Sequence, residues 1–250
     1  MNEIVNPTPE GNPTEFWDKL YTNDPDRVGT PSQQVALAVE AAIAYFGDLN
    51  GKTLIDIGCG NGDSSLAFAK RGANVIAVDN SRVGVETLKK RCERLGVTNV
   101  TPVVCDAMAI DSLGPCDFVF GAMILHHLEP FGQFCAALKR CMKEGGKGFF
   151  WENNAASRLL IWFRTHIVGR LWVPKWGDSQ EFPLTPDEVD LLRKHVDVRV
   201  VYPNMTFFVL FSSYILKDHF SKPFIAMDKW LFKRNLLVKY SYQQYLYLRN

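Results

Sequence analysis

The chain has 250 residues, with 28 Lys and Arg against 27 Asp and Glu and a net charge of +1. That balance excludes a general nucleic-acid coat, which needs a broad basic excess to neutralise phosphates. A hydrophobic share of 47% with 22% charged residues excludes wholesale disorder, and the length suffices for a large core in one domain with embellishments.

Residues 1–12 carry Glu3, Glu10, Pro7 and Pro9 and no apolar core, so they do not read as a signal peptide. Residues 15–21 set aromatic and aliphatic groups at helical spacing before Pro25, predicting a short amphipathic helix within an N-terminal cap over 1–31. A second helix is expected over 32–46, where Val35, Val39, Ala42, Ile43 and Phe46 share a face ahead of Gly47. β-rich runs then alternate with helical patterns: strands over 53–57, 74–78, 100–105, 117–120 and 148–151, with the best helices over 83–95 and 131–143. Repeated β-α-β units imply an α/β fold with a doubly wound, mostly parallel sheet between helices.

Residues 155–184, rich in Trp and Arg, interrupt the alternation as an insertion or lid. A helix over 186–195 and a strand over 196–202 follow. Residues 203–238 form a second, apolar and basic insertion before a last strand over 242–248. Their longest apolar run, 206–216, is broken by Ser212 and Ser213 and falls short of the ~20 residues of a spanning helix. The six cysteines form no C-x-x-C pair, and no carboxylate or histidine cluster has metal spacing. The expectation is a reducing, cytoplasmic setting and no metal.

The most informative segment is a buried strand running into Asp56-Ile57-Gly58-Cys59-Gly60-Asn61-Gly62 and then a helix. Glycines at 58, 60 and 62 clear Cβ atoms from one face of the turn, which allows positive φ and close approach of a ligand. A dinucleotide turn reads G-x-G-x-x-G and leaves the helix N-terminus free for a pyrophosphate. Here the spacing is G-x-G-x-G with Asp63 at the helix start, where a carboxylate repels a diphosphate but tolerates a cation. The pattern favours S-adenosylmethionine over NAD. Asp79 ends the second strand and can accept from ribose hydroxyls, and Asp106 ends the third and can accept from an adenine amine. Each could instead cap the helix that follows.

Together with Ile124-Leu125-His126-His127-Leu128, these residues resemble the class I S-adenosylmethionine-dependent methyltransferases, in the small-molecule branch that includes ubiquinone and menaquinone methylases. The resemblance covers residues 16–202 plus the last strand and implies a seven-stranded sheet. It implies that Asp56, Gly58, Cys59, Gly60 and Gly62 hold the methionine end, Asp79 and Asn80 the ribose, and Asp106 and Ala107 the adenine. Gly121 would line the methyl-transfer side.

On the acceptor side, His126 and His127 follow the fourth strand, where a neutral imidazole could deprotonate a hydroxyl, His127 being favoured; the alternative is that neither is a base. Glu152 with Asn153 and Asn154 ends the fifth strand and offers an acceptor and two amides to a substrate, or a helix cap. Arg158, Arg164, Arg170, Trp162, Trp172 and Trp176 could line a lid that stacks on a sugar or aromatic ring, or the tryptophans could be core. Glu181 lies in a segment similar to one in bacterial glycan-assembly methyltransferases.

Residues 1–154 carry 14 Lys and Arg against 19 Asp and Glu, and residues 155–250 carry 14 against 8, so the neutral total divides into −5 and +6. The acidic part suits a sulfonium. The basic part, with its aromatics, suits a lipid surface at the inner membrane face or a lipid-linked acceptor, or else forms helices packed on the sheet or a homodimer interface. The expected activity is methyl transfer to a hydroxyl of a small molecule or glycan, with nitrogen or carbon transfer and a non-catalytic cofactor-binding role as alternatives. Nucleic acid is not expected, because no Asn/Asp-Pro-Pro-Tyr segment follows the fourth strand.

Overall fold

The computed structural model describes residues 33–166, 182–216 and 221–250. The helix expected over 15–21, the cap 1–31, and Arg170, Trp172, Trp176 and Glu181 of the first insertion lie outside the described residues.

In chain order the structure has α1 (Gln33–Phe46), β1 (Thr53–Ile57), α2 (Asp63–Ala69), β2 (Asn74–Asp79), α3 (Arg82–Leu95), β3 (Val100–Val104), β4 (Cys116–Ala122), α4 (Phe131–Cys141), β5 (Met142–Asn153), α5 (Arg158–His166), α6 (Pro186–Arg193), β6 (Asp197–Val201), α7 (Phe208–Ile215), α8 (Ser221–Lys233) and β7 (Gln243–Arg249). The strands form one seven-stranded sheet in the order β3-β2-β1-β4-β5-β7-β6. All neighbours are parallel except β7, which runs antiparallel to β5 and β6. The doubly wound, mostly parallel sheet expected from the sequence is therefore present.

Two apolar layers sandwich it. One face packs Ile55, Ile57, Val119 and Phe150 against α4 and α6. The other packs Leu54, Val75, Phe120 and Phe149 against α1, α2 and α3. The inner strands are apolar on both faces because helices cover both. α3 shows its boundaries in its sequence: Ser81 accepts from Gly84 N–H at the start, and Gly96 ends it at φ 65°. α6 has a full capping box, with Thr185 and Glu188 exchanging bonds.

The largest difference from the expected strands is at β5. β5 runs from Met142 to Asn153 rather than over 148–151, following α4 without a loop. Met142 is buried in extended conformation and pairs with Cys116, after which the register shifts. Pairing with β4 thus overrides the helical pattern of residues 142 and 143.

The second insertion contains two helices, α7 and α8, which pack on one another. Asp228 of α8, 2% exposed, accepts from Phe207, Phe208 and Val209 N–H at 3.2, 3.0 and 2.9 Å. One buried carboxylate thereby satisfies the orphan donors at the start of α7 and ties the two helices together. Asn154 plays a related part: its amide donates to Lys239 and Ser241 carbonyls at 3.0 and 2.9 Å and accepts from Ala156 N–H. It is committed to holding the chain ahead of β7 and not to a substrate.

Candidate active site

The C-terminal ends of β1, β2, β4 and β5 meet where open α/β sheets bind ligands. After β1, Gly58, Gly60 and Gly62 adopt φ of 68°, 50° and 85°. The reason for glycine differs from the sequence expectation at two of them. A Cβ on Gly62 would lie 2.1 Å from Leu88 of α3, and one on Gly58 would lie 2.8 Å from Ile124. The clearance at those positions is filled by the protein's own side chains, which draws the turn against α3 and against the loop after β4.

Asp56 is 1% exposed, and its Oδ2 accepts the hydroxyls of Ser64 and Ser65 at 2.6 and 2.5 Å. Burial raises its pKa to about 6, against the lowering effect of the two serine hydroxyls. Asp56 therefore contributes a buried charge beneath the turn, clamped to α2. The serines were not singled out from the sequence, although two adjacent hydroxyls in the first turn of the helix after an acidic strand are a usable signal. Asp63 also needs revision. Arg91 Nη1 lies 2.6 Å from its Oδ1, an ion-pair contact without hydrogen-bond alignment, and donates to the Asn61 carbonyl at 3.0 Å. With its charge paired, Asp63 repels a diphosphate less than the sequence argument supposed.

Asp79 uses both oxygens on the backbone: Oδ2 accepts from Gly60 N–H and Oδ1 from Ser81 N–H, each at 2.8 Å. The cap of α3 is Ser81, not Asp79. The carboxylate is half-exposed and ties the glycine turn to the end of β2. Asn80 beside it is exposed. Asp106 is exposed and caps the short 3₁₀ turn that begins at Ala107, accepting from Met108 N–H at 2.9 Å. One of its oxygens thus does what the capping alternative stated. Cys59, Gly60 and Gly121 are buried.

At the end of β4, Met123 turns the chain at φ 56°, and its N–H donates to the Trp151 carbonyl at 2.8 Å. The next residues are gathered by Glu152. Its side chain is fully buried, Oε1 accepts from Ile124 and Leu125 N–H at 2.8 and 2.6 Å, and Oε2 lies 2.7 Å from His126 Nδ1. The His126 side chain is 3% exposed, whereas His127 is half-buried and its ring packs on that of His126 with centroids 4.1 Å apart. The sequence expectation that Glu152 faces a substrate is not what this geometry provides: the carboxylate is spent on the loop and on His126. Gln244 pairs with Glu152 across β5 and β7, so both side chains share a face. It is 3% exposed, and its Nε2 meets no partner among the described residues. A polar residue in an alternating strand carries no signal that would have singled it out. Among the described residues no three His, Cys, Asp or Glu side chains converge as a metal would require.

A family model described as a methyltransferase domain matches residues 54–146, the stretch that contains the glycine turn, Asp79, Asp106 and the histidine pair. A ubiquinone biosynthesis O-methyltransferase of Cereibacter sphaeroides is 29% identical over 194 residues, 73% of this chain and 75% of that one. Its counterpart in Caulobacter vibrioides is 27% identical over 188 residues, 70% and 73% of the two chains. The chain is a class I S-adenosylmethionine-dependent methyltransferase. Among solved structures, an S-adenosylmethionine-dependent methyltransferase from Aquifex aeolicus matches 96% of this methyltransferase and 99% of that chain, with a TM-score of 0.56 at 20% identity. The [4+2]-cyclase SpnF matches 95% and 94%, with a TM-score of 0.63 at 17% identity. At such identities the likeness is one of fold, and a fold by itself does not fix the chemistry.

Proposed function

We propose that this methyltransferase acts on a hydroxyl oxygen of a small molecule, with His127 as the general base and His126 and Glu152 as positioning residues. The observation that carries the reading is the Glu152–His126–His127 arrangement at the ends of β4 and β5. The sequence relatives are named as O-methyltransferases of ubiquinone biosynthesis, which supports oxygen over nitrogen or carbon.

The donor set fits the cofactor: a buried Asp56 charge, a partly exposed Asp79 carboxylate at the end of β2, and a turn tied to Asp79. Asp56 with the 58–62 turn would hold the methionine end, Asp79 and Asn80 the ribose, Asp106 and Ala107 the adenine, and Gly121 would border the methyl group. When bound, S-adenosylmethionine supplies a methyl group on a positively charged sulfur, open to in-line displacement by an oxygen nucleophile.

The protein's own work is alignment and proton transfer. Glu152 fixes the His126 tautomer with Nδ1 protonated and holds the Ile124–Leu125 backbone against β5. His126 supports the His127 ring, and His127 receives the acceptor's hydroxyl proton. The Gln244 carboxamide beside this group is consistent with an acceptor oxygen or a water bound there, since an unmet buried N–H costs about 1–3 kcal/mol.

The test is mass spectrometry for a product 14 Da heavier, ~CH₂ gained as H is replaced by CH₃, using phenolic and sugar hydroxyl acceptors with wild type and His127→Ala. Methylation of an amine or a carbon in place of oxygen would sink the hydroxyl assignment. Cofactor binding without any turnover would support the non-catalytic alternative.

Membrane contact at the inner face, with a cytoplasmic location, is the partner reading supported by α8. Trp230, Phe232 and Ile225 are exposed beside Lys222, Lys229, Lys233 and Arg234, with Arg234 over the Trp230 ring at 5.0 Å. Sedimentation with vesicles containing anionic lipid, against purely zwitterionic ones, tests it. A homodimer through the same face would instead appear as a concentration-dependent elution volume. A glycan acceptor draws on exposed Trp162 and is tested by the sugar arm above.

A further inference from the structure

α3 carries five basic residues, and four of them, Arg82, Lys89, Lys90 and Arg94, are exposed. The fifth, Arg91, is turned inward, with its side chain 13% exposed. A guanidinium taken from water needs partners, and those of Arg91 lie on the glycine turn. Its Nη1 donates to the Asn61 carbonyl at 3.0 Å, 30 residues earlier in the chain, and lies 2.6 Å from Asp63 Oδ1. One nitrogen thus bridges the two residues that flank Gly62.

The same turn is gripped at other points. Leu88, one helical turn before Arg91 and on the same face of α3, is fully buried, and a Cβ on Gly62 would lie 2.1 Å from it. Asp79 accepts from Gly60 N–H and from the N–H of Ser81, the cap of α3. The end of β2 and α3 therefore hold the turn at Gly60 through Asp79, at Gly62 through Leu88, and on either side of Gly62 through Arg91.

Such holding has a physical purpose. Gly60 and Gly62 sit at φ 50° and 85° and have no side chains to fix them, and glycine loses more conformational freedom on ordering than any other residue. A turn ordered by the protein before a ligand arrives spares the binding step that entropy.

We infer that Arg91 is a positioning residue for the cofactor: by clamping Asn61 and Asp63 together it keeps the Gly60–Gly62 backbone in its binding arrangement. The inference rests on the reading that the 58–62 turn holds the methionine end of S-adenosylmethionine, and adds to it a residue from outside that segment. A clamp differs from a counter-ion. If the guanidinium served only to neutralise Asp63, taking away the Asp63 charge would replace it; as a clamp it is also needed for its bond to the Asn61 carbonyl.

The experiment is calorimetry with S-adenosylhomocysteine on the full chain, joined to hydrogen exchange of the unliganded protein. Arg91→Met keeps most of the stem and removes the guanidinium. It should weaken S-adenosylhomocysteine binding at least about tenfold, the scale of a hydrogen bond to a charged group, and quicken exchange at residues 60–64 but not in β4 or β5. Arg91→Lys, which keeps the charge on a stem one atom shorter and without the fork, should fall between Arg91→Met and wild type. The double variant Arg91→Met with Asp63→Asn removes the orphaned carboxylate as a cause of misfolding, and it should stay at least about fivefold weaker than wild type. Recovery of the double variant to within about twofold of wild type overturns the clamp. So does unchanged binding by Arg91→Met, and so does a loss accompanied by exchange quickened equally throughout the sheet, which marks general destabilisation. Asp79→Ala in the same calorimetry separates the inference from the reading beneath it. Wild-type binding by Asp79→Ala overturns both; weakened binding by Asp79→Ala with none in Arg91→Met removes the clamp and keeps the site.

Discussion

The acceptor edge of the sheet and the helices beside it are each pinned by one buried carboxylate. Glu152 accepts from Ile124 and Leu125 N–H and meets His126; Asp228 accepts from three successive N–H groups at the start of α7. Around Glu152, Leu125 and the His126 side chain are buried. Around Asp228, Ile225, Trp230 and Phe232 of the same helix are exposed. The same device thus pins a loop at the sheet edge in one place and joins two helices that carry exposed apolar side chains in the other.

The comparison breaks first at Glu152. Replacing it by Ala takes the carboxylate from two backbone N–H groups and from His126 Nδ1 at a buried position, so stability should fall by about 3–5 kcal/mol and turnover at least a hundredfold. Glu152→Gln retains the shape and one acceptor oxygen. It should unfold closer to wild type while kcat stays depressed and KM moves little, a split that a purely structural role would not produce.

Asp79→Ala should weaken S-adenosylhomocysteine binding by about 1.5–3 kcal/mol in calorimetry, the worth of hydrogen bonds to a charged group, with the glycine turn loosened as well. Asp228→Ala should cost about 1–3 kcal/mol, confined to the helices of residues 208–233. Hydrogen exchange should quicken there and not in β1 or β4. Uniform quickening would mean that the lid and the sheet unfold as one unit.

pH sharpens the site half of the comparison. Asp56 has its pKa raised to about 6 by burial, so the folded protein takes up its proton before the unfolded chain does. Ionising Asp56 in the fold costs stability, which is lost as pH rises from about 4 to about 6 and is fully absent above that. Cofactor affinity has the opposite slope, since a cation favours the ionised form: it should fall as pH drops below about 6, by up to about tenfold per pH unit. Asp56→Asn should flatten that slope. The smallest effect is expected of Trp230→Ser, which should leave unfolding within ~0.5 kcal/mol of wild type and lower only the sedimentation with anionic vesicles.

Much of the fold was legible in the chain. α3 shows both caps, and α6 shows Pro186 at its start with Thr185 and Glu188 as a capping box. The buried strands 53–57 and 74–78 read as apolar runs ended by turns or acids. The Asp56-to-Gly62 turn with Asp79 pointed to the cofactor class. Less legible was what each acid does. From the sequence Asp79 and Asp106 read alike as acids ending strands, yet Asp79 ends β2 and ties the glycine turn to it, whereas Asp106 lies two residues past β3 and caps a 3₁₀ turn. Glu152 read as a substrate ligand because its strand position points to the crevice, and that position is silent on how many neighbouring N–H groups already claim the carboxylate.

What the sequence by itself determined is local: periodicity, caps and glycine spacing act within a few residues, where backbone sterics and short-range hydrogen bonds decide the outcome. Tertiary structure alone decided that Gly62 makes room for Leu88 rather than a ligand, that Arg91 neutralises Asp63, and that Asp228 starts a helix some twenty residues away. It also brought Leu160 and Leu210, fifty residues apart, to one cavity. Each of these depends on groups far apart in the chain arriving within a few ångströms, and burial then sets which charges are satisfied and which surfaces are left to bind.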